Sequence, residues 1–78
     1  MSQVEFGHPH VLAAWVFVKM DHPGEMKTVL AVETSLNLNP NDRAYDEGAL
    51  VDLGNKVWEY LAHHRYIESA EIVPIKIA

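Results

Sequence analysis

The side chains best suited to chemistry in this chain are five histidines. His8 and His10 are two apart, so on an extended segment their rings face the same way. His63 and His64 are adjacent, and on a helix they diverge by about 100°, which keeps them from sharing one ion. A first-row metal could draw on His8, His10 and one of that pair. No dedicated ligand spacing such as H-E-x-x-H is present. Surface and helix-end histidines account for the same pattern, so no metal and no cofactor are assigned.

Catalytic spacings are equally sparse. Ser35 and Ser69 lie in no nucleophile-elbow context, and no P-loop or dinucleotide-binding glycine pattern occurs. Small β-α-β enzymes of the tautomerase type use an N-terminal proline as base, whereas residue 2 here is Ser2. One catalytic alternative stays open: a small oligomeric ferredoxin-like enzyme or ligand-binding protein, with a small molecule held between subunits and His10 or His22 as acid or base. The aromatics Trp15, Phe17, Trp58 and Tyr60 could stack on bases. No basic groove accompanies them, so core packing is the stronger reading.

Charge points away from nucleic acid. Six Lys and Arg face eleven Asp and Glu, for a net charge of −5. The cations are scattered, so nucleic acid and anionic membranes would both be repelled by the average surface. A basic protein surface would be attracted. The carboxylates Asp42, Asp46, Glu47, Asp52 and Glu59 cluster on one segment and are the expected partner-binding residues. Small, acidic, single-domain and free of cysteine, the chain shares a profile with many phage and mobile-element proteins that occlude a host machine, anti-CRISPRs among them. That analogy is one of size and charge and covers no motif. The expected function is accordingly a non-catalytic interaction module that inhibits or regulates by occlusion.

These side chains need a scaffold. Seventy-eight residues make one small domain, which buries only about 60% of the surface its unfolded chain would expose. The absence of cysteine excludes disulfides and thiolate metal sites. With no signal-peptide pattern at Met1 to Glu5, it favours a cytoplasmic setting. The longest apolar run, Val11 to Val18, is eight residues, and a membrane span needs about 20.

Val11 to Lys19 reads as a strand rich in β-branched and aromatic residues. One face carries Val11, Ala13, Trp15 and Phe17; the other carries Leu12, Ala14, Val16 and Val18. Two apolar faces suit a central strand. Asp21 to Glu25 is a turn with Pro23 and Gly24 at its centre. Met26 to Thr34 is the second strand, antiparallel to the first. After a polar loop over Ser35 to Tyr45, Asp46 is the N-cap of a helix to about Arg65, with Tyr45 and Leu50 at staple positions. Leu50, Leu53, Val57 and Leu61 form its buried stripe, flanked by Trp58. Asp52 and Lys56 are spaced to pair on the wet side. Gly48 and Gly54 suggest close packing on the sheet. Ala70 to Ile77 is a third strand, placed at an edge by Pro74.

The order β-β-α-β predicts an α+β fold, a three-stranded sheet in order 2-1-3 with one helix on it. One helix covers one face only. The opposite face therefore needs a cover: the N-terminal segment with Val4 and Phe6, a second copy through the sheet, or another protein.

Overall fold

The computed structural model describes residues 2–75. It contains β1 (Ser2–Val4), β2 (Val11–His22), β3 (Glu25–Thr34), α1 (Glu47–His63) and β4 (Ser69–Pro74). The α+β class is as expected, but the sheet has four strands rather than three, in order β1-β2-β3-β4. β1–β2 and β2–β3 pair antiparallel, and β3–β4 parallel. The order 2-1-3 is thus corrected. The place reserved for the last strand beside β2 is taken by β1, whose Ser2, Gln3 and Val4 pair with Val16, Trp15 and Ala14. β4 instead lies directly against β3, and the chain through α1 crosses over by a single strand.

β3 is the strand most completely enclosed. Val29, Leu30, Ala31 and Val32 are all buried, as is Thr34. Thr34 is tolerated there because its hydroxyl is satisfied twice: it donates to the His10 carbonyl (2.7 Å) and accepts from the Leu36 N–H (3.1 Å). β4 forms the far edge. The ladder passes Pro74 through the Ile75 N–H, which donates to the Thr34 carbonyl at 3.2 Å, so the proline costs the sheet no hydrogen bond. The strand was expected to reach Ile77; Lys76 and Ile77 lie outside the described residues.

A register shift sits between Val11 and Ala13, where Val11 pairs with Thr34 and Ala13 with Glu33. Leu12 is the extra residue of this bulge. The shift turns Val11 to the helix side, where it packs on the core, and leaves Leu12 exposed. The strict alternation expected of β2 therefore holds only from Ala13 onward.

The helix begins where its cap is. Asp46 is extended (φ −124°, ψ 97°), and its carboxylate accepts from the Ala49 N–H at 3.1 Å. Leu53 and Val57 are its buried residues. They meet Ala14, Leu30, Val32 and Ile67 in the core, with Val4, Phe6, Val16, Tyr60, Leu61, Ala70 and Ile72 packed around them. Gly54 and Gly48 do not serve close packing: a Cβ at Gly54 would meet nothing within 4 Å, and one at Gly48 only the Asp46 carboxylate at 3.5 Å. Trp58, expected to flank the core, stands 75% exposed.

The N-terminal segment does not cross the second sheet face. β1 extends the sheet edge, and Phe6 packs on the helix side against Tyr60, ring centroids 5.4 Å apart. The second face covers itself instead. Lys19 of β2 reaches across β3 to Glu71 of β4, with Nζ 3.1 Å from Oε1. Lys19 is level with Lys27 and Glu71 with Ala31, so the ion pair passes over β3 near Val29. With Trp15 and Phe17 alongside, Val29 and Ala31 are only 2% exposed.

Candidate partner-binding surfaces

Element lengths decide which apolar side chains remain open. β2 has twelve residues, about 40 Å of strand. α1 has seventeen, about 25 Å of helix. The helix cannot cover the sheet along its whole length. The uncovered part is the hairpin arm beyond the helix C-terminus, where Val18, Met20 and Met26 point to the helix side and are 57%, 64% and 65% exposed. Met20 and Met26 are directly cross-strand partners. The arm turns through Gly24, whose φ of +86° suits a residue without Cβ.

A second open surface lies on α1 itself. Val51 is 57% exposed and Trp58 75%. Beside Trp58, a shallow groove of about 210 Å³ is lined by Leu61, Ala62, Ile67 and Glu68. Trp58 could not be told from a core residue by type, because its position is only one step from Val57 on the helix.

The five acidic residues expected at a partner surface have different local contacts. Asp46 caps α1. Asp42 holds the preceding loop, accepting from the Ala44 N–H at 2.8 Å. Asp52 pairs with His8, not with Lys56: Asp52 Oδ2 lies 2.8 Å from His8 Nε2. Glu47 and Glu59 are exposed and enter no ion pair among the described residues. At 100° per residue they stand about 120° apart around the helix. Glu59 borders a groove of about 190 Å³ with Lys56, Tyr60, His63 and His64, one turn before the helix end that the arm overhangs.

No protein-family model, curated protein or solved structure matches this chain.

The His8 and His10 rings lie side by side, centroids 5.7 Å apart, while His8 and His64 make the bonds that tie local structure. The His8 ring accepts from the His10 N–H at Nδ1 (3.2 Å) and so carries its proton on Nε2, which it donates to Asp52. Both ring nitrogens are thereby engaged, and the imidazole side chain is 5% exposed. His64 donates Nδ1–H to the Tyr60 carbonyl (2.9 Å) and stacks on the Tyr60 ring, centroids 4.0 Å apart and planes at 12°. His10 and His22 stand at opposite ends of β2, about 40 Å apart by strand length. No group of three or more His, Asp or Glu among the described residues could hold a metal ion. No helix among them is long and apolar enough to cross a membrane.

Burial pushes the Tyr60 phenol above its ordinary 10.0, and the neighbouring Tyr66 phenol adds to the rise. A hollow of about 450 Å³ is lined by His10, Ser35, Leu36, Asn37, Leu38, Ala44, Pro74 and Ile75. Among the described residues that line it, His10 is the titratable side chain.

Proposed function

We propose that this chain is a non-catalytic interaction module that inhibits or regulates a partner protein by occluding a basic surface on it. The observation that carries this reading is the apolar overhang: Val18, Met20 and Met26, exposed together on one side of an arm that the helix is too short to cover. Apolar side chains held open in this way supply affinity. Methionines add adaptability, since the unbranched thioether fits irregular surfaces. The net charge of −5 supplies attraction at a distance, which governs on-rate and partner choice more than affinity. Glu59, exposed and in no ion pair among the described residues, would sit at the rim of such a contact.

The experiment is affinity capture from an extract of the source cells, followed by measured association with the captured protein. The expected partner is basic. The double variant Met20→Ser/Met26→Ser should raise the dissociation rate, and Glu59→Lys should slow association. The Glu59→Lys loss should shrink in salt as the Debye length falls from about 10 Å to about 3 Å. Unchanged rates for both folded variants would overturn the reading.

A further inference from the structure

The outer flank of α1 carries a second seam besides the one that faces the sheet. Glu47, Val51, Gly54, Trp58, Leu61 and Arg65 follow one another at intervals of 4, 3, 4, 3 and 4. At 100° per residue they fall within about 80° of arc. This is the spacing by which one helix meets another along its length. Glu47 to Leu61 lie within α1, and Arg65 stands two residues past its end. Val51 and Trp58 are exposed, Gly54 and Leu61 half-buried. Among the described residues, no element covers Val51 and Trp58.

We infer that this seam is the interface of a homodimer in which two copies of α1 pair antiparallel about a two-fold axis that crosses the seam at the axial level of residue 56. The argument is self-complementarity, which an isologous contact requires. Antiparallel pairing sets Glu47 against the partner copy's Arg65, Val51 against its Leu61, and Trp58 against its Gly54. Each match is favourable: acid on base, apolar on apolar, and the largest side chain over the residue that has none. The space exists, since nothing lies within 4 Å of where a Gly54 Cβ would be. The groove beside Trp58, lined by Leu61, Ala62, Ile67 and Glu68, lies where the partner's Val51 would enter. Parallel pairing would set Trp58 on Trp58, Glu47 on Glu47 and Arg65 on Arg65, and is disfavoured by bulk and by like charge. The seam lies on a different flank from Asp52 and Glu59, so the dimer stands or falls separately from the proposed partner contact.

The test is sedimentation equilibrium of the purified full chain from about 1 µM to 1 mM, with circular dichroism as the control for folding. Wild type should pass from 8.8 kDa to twice that mass within this range. Gly54→Leu fills the slot while improving helix propensity. It should stay folded and shift the dissociation midpoint upward by about tenfold or more. Glu47→Arg and Arg65→Glu should each weaken the dimer, and the double variant Glu47→Arg/Arg65→Glu should restore it. That rescue distinguishes a cross-copy pair from a general charge effect. Wild type that is monomeric at 1 mM overturns the inference, as do a dimer indifferent to Gly54→Leu and single charge variants that the double swap does not rescue.

Discussion

His8 donates its Nε2–H to the Asp52 carboxylate at 2.8 Å across 44 positions of sequence. This bond and the Phe6–Tyr60 ring contact tie the segment between β1 and β2 to α1. The Asp52 carboxylate is 75% exposed while the His8 side chain is 5% exposed, so water screens only one partner. Removing Asp52 leaves a buried ring N–H without an acceptor. Asp52→Ala should therefore cost about 1–3 kcal/mol. In a double-mutant cycle with His8→Ala the two losses should not add. Urea midpoints of the four proteins measure this. Reversal of Asp52 to Lys is thus no neutral probe of a partner surface, whereas Glu59→Lys is.

The helix–sheet core makes a graded expectation. Leu53 is fully buried against Leu30 and Val32, so Leu53→Ala should cost about 2–5 kcal/mol. Val57→Ala removes fewer atoms from a site that is 7% exposed and should cost less. Asp46→Ala should cost about 1 kcal/mol through the lost bond to the Ala49 N–H. Urea melts read all three, and an unchanged midpoint for Leu53→Ala would contradict the packing of α1.

Two glycines should respond oppositely to alanine. Gly54 lies within α1 with open space at its Cβ position, so Gly54→Ala should stabilise the fold by about 0.5–1 kcal/mol. Gly24 has φ +86°, a conformation that alanine adopts only with strain, so Gly24→Ala should destabilise. Thermal melts with opposite signs of shift would bear this out.

Tyr60 makes stability sensitive to alkaline pH. Its phenol ionises at higher pH in the folded chain than its ordinary 10.0, first because of burial and then because of Tyr66. A raised folded value means that this contribution is fully present below pH 10 or so and is lost as pH rises through the folded value. The unfolded chain ionises first, so stability should fall above about pH 10. Tyr60→Phe should make that fall shallower. Urea midpoints across the alkaline range, with phenolate absorbance as the direct reading, decide the point.

Features set by neighbours along the chain were legible in the residues. Asp46 could be recognised as a cap because a carboxylate three residues before a free N–H is its natural acceptor. Leu53 and Val57 could be placed inside because the helical period leaves them one face. Gly24 marked the turn, and the alternation of Met26, Thr28, Leu30 and Val32 was visible by itself. Local spacing determines these, since each rests on bonds or periods spanning a few residues.

What the tertiary structure decided are the long-range pairings and what they leave open. Ser2 to Val4 are too short and polar to read as a strand, yet they occupy the edge beside β2 and so exclude β4 from it. The extra residue at Leu12 reverses the face of Val11 only once β2 is registered against Thr34 and Glu33. Lys19 and Glu71 close the second sheet face because folding brings strands 52 positions apart within one side-chain reach. Val18, Met20 and Met26 are exposed because a helix rises about 1.5 Å per residue and a strand about 3.3 Å. Seventeen helical residues cannot shield twelve extended ones, and no property of any single side chain records that mismatch.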